Sequence, residues 1–218
     1  MNVTQDSRNS QGDRQRGRPA NLETGELQSK LLDIAEELFA ESGFAATSIR
    51  KIADAAGVNP ALVHYYFGTK RDLLVTVMDR ALEPMVVNVA AFQEADSLEA
   101  FDVARLMFEM VRRHPAMPRL IVREVMLSSG EIHAYFAEHF APRIGGALPK
   151  LLKIQQAEGR LNPDLDPGAA TLMLLGLCVF PFVARSIAEP VLGVRYDETG
   201  LEDYLAQIKL VLNDGMNP

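Results

Sequence analysis

The segment TSIRKIADAAGVNPALVHYYFGTKRDL, residues 47–73, constrains the fold more strongly than any other part of this chain. Its first half repeats apolar residues at the spacing of one helical face, namely Ile49, Ile52, Ala53 and Ala56. Gly57 follows, and glycine readily adopts the left-handed backbone conformation that a tight turn between two helices requires. Asn59, with the proline after it, is typical of a helix cap and a first helical position. The pattern predicts two short helices, over about 48–56 and 60–66, joined by a tight turn.

The second of these helices has one side that the core does not need. Val63 and Phe67 are four residues apart and would pin the helix to the core, while Val58 fills the angle between the two helices. The free side carries Pro60, Ala61, His64 and Tyr65. A short helix, a glycine turn and a second short helix with an exposed first turn form a helix-turn-helix, whose second helix can enter the major groove of DNA.

Helical patterns continue on both sides of this segment. A first helix carries an apolar stripe that ends at Ser42-Gly43 and consists of Leu31, Ile34, Ala35, Leu38 and Phe39. A longer helix is predicted from a capping box at Thr69 and Asp72 to about Glu83, where Pro84 bends or ends it.

The remainder of the chain also reads as helices separated by breakers. One helix is marked by Leu98, Phe101, Arg105 and Phe108. Others are predicted over 120–127, over 132–158 with breaks at Pro142 and Gly145-Gly146, over 168–188, and over 200–213 behind a capping box of Thr199 and Glu202. Neither an alternating strand pattern nor a repeat is evident, so the predicted fold is all-α.

Several residues of the central segment carry a resemblance to the TetR family of transcriptional regulators. They are Thr47, Ile52-Ala53, Ala56-Gly57-Val58, Tyr66-Phe67, Lys70 and Leu73. Two positions depart from the family pattern: His64 stands where a phosphate-contacting tyrosine is usual, and Leu62 where threonine or serine is common. Residues 1–21 have almost no apolar side chains, so a flexible basic arm is expected there. The resemblance implies a three-helix helix-turn-helix DNA-binding domain over 22–83 and a larger helical ligand-binding and dimerisation domain over 84–218.

The candidate DNA contacts combine physical argument with this resemblance. Arg50 and Lys51 lie in the first turn of a helix, where the helix dipole disfavours cations, so an outside anion such as a DNA phosphate or a guanine edge would stabilise them. The resemblance makes Arg50 the direct base reader and Lys70 a phosphate contact. Leu62 either meets a thymine methyl group or packs inside. The full predicted set is Thr47, Ser48, Arg50, Lys51, Asn59, Pro60, Ala61, His64, Tyr65 and Lys70.

The total charge argues against nucleic acid, but its distribution does not. The formal net charge is -7, from 22 Lys and Arg against 29 Asp and Glu. Residues 47–71 nevertheless have a local balance of +3, and so do residues 8–18. The arm with Arg14, Arg16 and Arg18 either follows the minor groove or serves as a solubilising tail. Positive charge confined to these two segments predicts weak non-specific DNA affinity and selection by a few contacts.

The C-terminal half is predicted to hold a ligand and to form the dimer. The candidate ligand-binding residues are Phe101, Met107, Phe108, Met110, Arg123, Met126 and Phe136. Methionines and aromatics make an adaptable apolar cavity, although such stripes are more often plain core. Arg123 or Glu124 could recognise a polar ligand group, or the two could pair across the bundle.

The run from Pro167 to Ala184 has no charged residue over 18 positions, which touches the lower limit for a membrane span. Its prolines, glycines and flanks favour a core or subunit-interface helix instead. Together with a second apolar stripe it offers more apolar surface than one small bundle needs, so a homodimer through the last two helices is predicted. That stripe consists of Leu201, Leu205, Ile208 and Leu212.

Other classes of function find little support. The single cysteine, Cys178, excludes a disulfide scaffold and a cysteine-based metal site within one chain, and the histidines lack ligand spacing, so no metal or cofactor is expected. No catalytic motif supports a helical enzyme, and a dimeric interaction module that has lost DNA binding is the other alternative. The polar N-terminus from Met1 to Gly17 lacks the apolar stretch of a secretory signal, so a cytoplasmic protein is expected.

The resemblance favours a ligand-responsive repressor. Such a protein binds a palindromic operator in double-stranded DNA as a dimer and is released by a small, largely apolar effector. Two helix-turn-helix units related by a two-fold axis predict half-sites about one DNA turn apart.

Overall fold

The computed structural model describes residues 24–94 and 99–216. Its elements, in chain order, are α1 (Thr24–Ser42), α2 (Ile49–Ala56), α3 (Pro60–Phe67), α4 (Lys70–Glu94), α5 (Ala100–Arg113), α6 (Met117–Ile121), a π turn (Val122–Met126), α7 (Glu131–His139), α8 (Ala141–Ile144), α9 (Ala147–Ala157), α10 (Pro167–Val183), α11 (Arg185–Leu192) and α12 (Glu198–Met216). Every regular element in these ranges is helical, which confirms the all-α prediction. The basic arm and Leu98 lie outside the described residues.

The three N-terminal helices pack around the apolar stripe of α1. Leu31, Ala35 and Phe39 on that stripe are fully buried. The helix-turn-helix closes this core from the other side with Val58 and Val63, which are also buried. The stripe and the turn that the sequence predicted are therefore confirmed, and together they fix the position of α3.

Helix α4 connects the two halves of the molecule. Its predicted capping box is present: the Thr69 N–H donates to Asp72 Oδ2 at 3.0 Å, and the Asp72 N–H donates to Thr69 Oγ1 at 3.2 Å. Of the two alternatives at Pro84, an end of the helix is wrong, because α4 continues to Glu94. Pro84 lies on the exposed side, while Met85 and Val86 beyond it are buried and hold the helix in the core. The predicted domain boundary at 83/84 thus falls inside one continuous helix.

The C-terminal helices follow the predicted order with shifted ends. Helix α6 begins at Met117, before the predicted start near 120, and the predicted 168–188 helix is divided into α10 and α11. The expected capping box of Thr199 and Glu202 is wrong. Helix α12 begins at Glu198, and the Gly200 N–H donates instead to Asp197 Oδ1 at 2.7 Å.

The apolar residues of α10 and α12 are not arranged as predicted. Ile208 and Leu212, expected on the dimer face, are 2% and 6% exposed because they pack into the core of their own chain. Leu201 and Leu205 are half-buried. The apolar side chains that do face outward are Leu172, Met173 and Phe180 on α10 and Leu210 and Val211 on α12. We call this set the α10–α12 face.

The uncharged run forms α10, a helix of 17 residues. Within residues 24–94 and 99–216, none of the helices taken singly has the length and apolar character to cross a bilayer. Helices α10 and α11 reach that length and composition only as a pair, which is bent by 82°.

Candidate nucleic-acid interface

A side-chain cap marks the start of each of the two helices in the helix-turn-helix. Ser48 precedes α2, and its Oγ accepts a hydrogen bond from the Lys51 N–H at 3.1 Å. Gly57 ends α2 with φ of 74°, in the left-handed region that glycine tolerates. Asn59 precedes α3, and its Oδ1 accepts from the Ala61 N–H at 2.9 Å. The predicted Asn59 cap and the glycine turn at Gly57 are confirmed.

The burial of α3 leaves its predicted outer side exposed. Val63 is fully buried, whereas Ala61, His64 and Tyr65 are exposed and Pro60 is half-buried. Leu62 is half-buried and packs against the core, which agrees with the packing alternative. The outer side of α3 therefore carries small side chains in its first turn and polar or aromatic side chains one turn later. Small side chains allow the helix to approach the base edges of a DNA groove closely.

Arg50 is the most prominent cation of this surface. Its side chain is 81% exposed, and its Nε lies 3.8 Å from Asp54 Oδ2 one turn later. No acidic side chain lies in the first turn of α2. The adjacent Lys51 is exposed and donates from Nζ to Ser42 Oγ at 2.8 Å. Because an ion pair this exposed and this long is weak, little opposes a move of the Arg50 guanidinium to an outside anion.

His64 and Tyr65 present groups of different chemistry. The His64 Nδ1 lies 2.8 Å from the Gly68 carbonyl oxygen. A carbonyl only accepts, so Nδ1 carries the proton and Nε2 is left for an outside partner. Tyr65 is 80% exposed, and its ring stands edge-on to Tyr66 with centroids 5.3 Å apart. Both side chains can hydrogen-bond to a base edge or a phosphate.

Two residues of the predicted DNA-binding set are engaged inside the protein. Thr47 is only 1% exposed, and its hydroxyl donates to the Leu38 carbonyl at 3.0 Å, so a DNA contact by this side chain is wrong. Lys70 is half-buried, its Nζ donates to the Phe44 carbonyl at 2.7 Å, and the same Nζ lies 4.3 Å from the centre of the Phe44 ring. A phosphate contact by Lys70 stays a prediction. The same ammonium group would then contact both the phosphate and Phe44.

The capping contact at the start of α4 lowers the pKa of the Asp72 carboxyl. Hydrogen bonds from the Thr69 hydroxyl and the Thr69 amide hold the pKa of the Asp72 carboxyl below its usual value, and the charge of Arg71 acts in the same direction. The carboxylate form is thus the one that stabilises the start of α4, directly after α3.

Three hydrogen bonds between α1 and other parts of the fold were not predicted. Lys30 on α1 donates from Nζ to the Ala56 carbonyl at the end of α2, at 3.2 Å. Glu36, also on α1 and 4% exposed, accepts from Arg80 Nη2 at 3.2 Å and from His114 Nδ1 at 2.8 Å. These pairs are 26 to 78 residues apart in sequence, and no local pattern marks them.

The structure does not bring the seven predicted ligand-binding residues to one cavity. Met107 and Met110 are buried in the core, whereas Met126 is 64% exposed. The Phe136 ring packs on Phe140 with centroids 5.8 Å apart, and Lys209 Nζ lies 5.2 Å from the centre of the Phe101 ring. Arg123 reaches away from these residues to the end of α1. A ligand site formed by all seven residues therefore stays a prediction.

Phe108 does line a groove, but one of mixed character. Its ring stacks on Tyr204 with centroids 5.8 Å apart. The groove has a volume of about 600 Å³ and lies between α4, α5 and α12. Its other lining residues are Asn88, Arg105, Leu106, Glu109, Arg112, Glu198, Leu201, Glu202 and Leu205.

The three histidines predicted not to form a metal site contact other groups. His114 Nδ1 pairs with Glu36, His133 Nδ1 donates to the Val125 carbonyl at 2.7 Å, and His139 Nδ1 lies 3.0 Å from the Tyr135 carbonyl. Among the side chains that the structure describes, no three His, Cys, Asp or Glu group as metal ligands.

Comparisons with known proteins match both halves of the chain. Residues 31–77 match the family described as "Bacterial regulatory proteins, tetR family", and residues 100–209 match the one described as "Tetracyclin repressor-like, C-terminal domain". The HTH-type transcriptional repressor NicS of Pseudomonas putida is 26% identical over 195 residues, which cover 83% of this chain and 88% of that protein. The HTH-type transcriptional regulator RutR of Escherichia coli O157:H7 is 29% identical over 198 residues, which cover 86% of this chain and 89% of that protein.

A solved structure shows the same fold. The ketosteroid transcriptional regulator KstR2 of Mycobacterium tuberculosis superposes with a TM-score of 0.65 at 19% sequence identity, covering 94% of this chain and 100% of that chain. The relatives named here are transcriptional regulators rather than enzymes. With both halves matched and a helix-turn-helix whose outer side is exposed, the chain belongs to the TetR family of bacterial regulatory proteins and is a DNA-binding transcriptional regulator.

Proposed function

We propose that this protein is a dimeric repressor that binds a palindromic operator and is released by a small molecule. The observation that carries the proposal is the exposed outer side of α3 beside the 81% exposed Arg50 of α2. This surface presents the Arg50 guanidinium, an imidazole nitrogen of His64 and the phenol of Tyr65 on two short helices. Ser48 and Asn59 cap the N-terminal ends of these helices. DNA is the partner for which such a helix-turn-helix surface is suited.

On the operator, α3 would enter the major groove with its first turn toward the bases. Arg50 would read a guanine edge through two parallel hydrogen bonds, and Lys51 and Ser48 would contact the adjacent phosphates. His64 and Tyr65 would contact a base or the backbone on the other side of α3. Because the chain as a whole carries a net charge of -7, binding would depend on these few contacts more than on general attraction.

The dimer would form through the α10–α12 face. Leu172 and Phe180 are 72% and 68% exposed on α10, and Val211 is 55% exposed on α12. A groove of about 660 Å³ between α10 and α12 is lined almost entirely by apolar side chains, among them Met173 and Leu177. A contiguous apolar surface of this kind marks an interaction site, and a two-fold axis lets one face cover its own copy.

The effector would bind in the groove that Phe108 lines. That groove joins Asn88 of α4, the helix continuous with the DNA-binding half, to Glu198 and Glu202 of α12. A ligand there would change how α4 sits against α12, and hence the spacing of the two α3 helices in the dimer. Since the lining mixes leucines with arginines and glutamates, we propose an effector with an apolar body and polar groups. The place of action would be the bacterial cytoplasm, where the operator lies.

Selection of bound sequences from a pool of randomised duplexes tests this function. We expect a palindrome with half-sites about one helical turn apart, protected in a footprint at moderate salt and bound by two chains per duplex. Candidate effectors added to the preformed complex should release it. A selection that enriches no sequence at low and at moderate salt would contradict the repressor proposal and favour an interaction module.

A further inference from the structure

The turn between α1 and α2 is held by two side chains from the π turn. Arg123 donates from Nη1 to the Glu41 carbonyl and from Nη2 to the Ser42 carbonyl, both at 2.9 Å. Glu124 Oε1 accepts from the Phe44 N–H at 3.0 Å. The C-terminal half therefore supplies three hydrogen bonds to the backbone that leads directly into the helix-turn-helix. We call these three bonds the π-turn clamp.

The clamp satisfies backbone groups that α1 leaves open. The last carbonyls of a helix have no partner within it, and the last turn of α1 contains no basic side chain of its own. The planar fork of Arg123 reaches two successive carbonyls, which a single ammonium could not do in the same geometry. Gly43 leaves room for it: a Cβ at this position would lie 2.6 Å from Arg123 Nε. The turn and the arginine thus fit each other closely.

The backbone of the π turn aims both side chains at α1. The Leu127 N–H donates to the Val122 carbonyl, five residues earlier, at 3.0 Å, so the helix is wider here than an α-helix. The Val125 carbonyl accepts from His133 Nδ1 on α7 at 2.7 Å, which ties the turn to the rest of the C-terminal half. Single π turns inside helices are frequently found at functional sites.

The turn between α1 and α2 is also held from its opposite side, by Lys70 of α4. Phe44 offers its N–H to Glu124 and its carbonyl to Lys70 Nζ, at 3.0 and 2.7 Å. Three residues further on, the buried Thr47 N–H bonds to the Gly43 carbonyl at 3.2 Å, immediately before the cap of α2. A displacement of the π turn would therefore be passed to α2 through a stretch of backbone only four residues long, from Phe44 to Thr47.

We propose that Arg123 and Glu124 are positioning residues for DNA binding: through the π-turn clamp they fix the helix-turn-helix against the C-terminal half. Arg123 accordingly holds protein backbone and touches neither effector nor DNA. Its effect on operator affinity rests on the proposed function, whereas its effect on the α1–α2 turn does not. An operator-bound dimer needs both α3 helices at a fixed separation, and the clamp supplies that rigidity.

Hydrogen exchange of the full-length protein tests the clamp without DNA. In Arg123→Ala, the amides of residues 43–47 should exchange about tenfold faster, because charge-assisted hydrogen bonds that hold the turn are lost. Arg123→Lys should resemble Arg123→Ala, since it keeps the charge but lacks the fork. The matched control is Arg119→Ala on α6, which removes a half-exposed pair with Glu37 at 3.6 Å and should leave these amides unchanged. The buried amide of Val63 reports that the fold is intact.

The salt dependence of binding to the selected duplex separates positioning from direct contact. Arg123→Ala should bind about tenfold more weakly with an unchanged slope of log K against log salt, because no phosphate contact is lost. A slope reduced by about 0.9 would make Arg123 a phosphate contact and overturn the proposal. Full rescue by Arg123→Lys, or unchanged exchange of residues 43–47 in Arg123→Ala, would also overturn it. If the wild-type protein selects no duplex while exchange responds as expected, the proposed function fails and the positioning role fails with it.

Discussion

The molecule has two exposed surfaces of opposite character, and their construction differs accordingly. The outer side of α3 is small and polar, and its position follows from caps within about ten residues and from the buried Val58 and Val63. The α10–α12 face is broad and apolar, and its residues are those left over after each helix has buried its other side. The first surface is specified locally and can read a partner by hydrogen bonds. The second is specified by the packing of the whole C-terminal half and can bind by burial.

The largest expected effect comes from placing a charge on the apolar surface. Phe180→Glu should weaken the dimer by about 3–5 kcal/mol, because an unpaired carboxylate would be buried between the two chains. Light scattering behind a sizing column would report monomers at micromolar concentration. Val87→Glu is the matched control, since Val87 is 57% exposed on α4, outside the α10–α12 face. Equal dimer populations in the two variants would show that this face is not the interface.

The next two variants distinguish the buried side of α3, which holds the helix in place, from its exposed outer side. Val63→Ala should lower the free energy of unfolding by about 2 kcal/mol, because a fully buried side chain leaves a cavity. Tyr65→Ala should change stability by less than about 0.5 kcal/mol but weaken binding to the selected duplex by about 1–3 kcal/mol. Urea unfolding and a fluorescence binding titration on both variants would measure these changes. If Tyr65→Ala lost stability and kept its affinity, the assignment of the two sides of α3 would be reversed.

The turn between α2 and α3 should respond to a smaller change. Gly57 has φ of 74°, and a Cβ there would meet no atom within 4 Å, so the cost of Gly57→Ala is backbone strain alone, about 1–2 kcal/mol. In Gly25→Ala the added Cβ also meets open space, but the backbone is helical, so stability should not fall. Thermal unfolding of the two variants at one protein concentration provides the comparison. Equal melting temperatures would contradict the need for a left-handed residue at Gly57.

These local features are the ones that sequence predicted well. Gly57 and Asn59 act on neighbours two to five residues away, so the sequence pattern already specifies the geometry of this turn. Arg123 could not be assigned in this way, because an arginine in an apolar helix can serve a ligand or the backbone of α1 equally well until the fold places it. Phe108 does line a groove, but two of the acidic residues beside it, Glu198 and Glu202, come from α12, some 90 residues away.

The apolar stripe of α12 shows what helical spacing alone cannot predict. Spacing identified Ile208 and Leu212 as one face of a helix, but spacing cannot say whether that face meets its own chain or a second copy. The structure buries it within the chain, and the outward residues Leu210 and Val211 were not singled out. Thr47 was misassigned for a related reason, since a motif residue at a DNA-binding helix can serve the helix rather than the DNA.

The smallest expected effect concerns pH and the start of α4. The pKa of Asp72 is lowered in the folded state, so its cap stabilises the fold above the unfolded pKa of about 4 and is lost as pH falls through the lower, folded value. Asp72→Asn should therefore reduce the acid dependence of stability below pH 4, as measured by urea unfolding from pH 2 to 6. Thr69→Val removes the hydroxyl donor and should have the same effect. A wild-type dependence retained in both variants would assign the acid transition to other carboxyls.

The central claim is that the α2–α3 surface reads DNA, and the affinity of Arg50→Ala for the selected duplex tests it most directly. Loss of a bidentate guanine contact should weaken binding by about 1–3 kcal/mol and relax the preference at one base pair of each half-site. Arg195→Ala is the matched control, a half-exposed arginine that pairs with Asp203 on α12. The account predicts wild-type affinity for Arg195→Ala and at least about fivefold weaker binding for Arg50→Ala. Equal affinities for the two variants would contradict it.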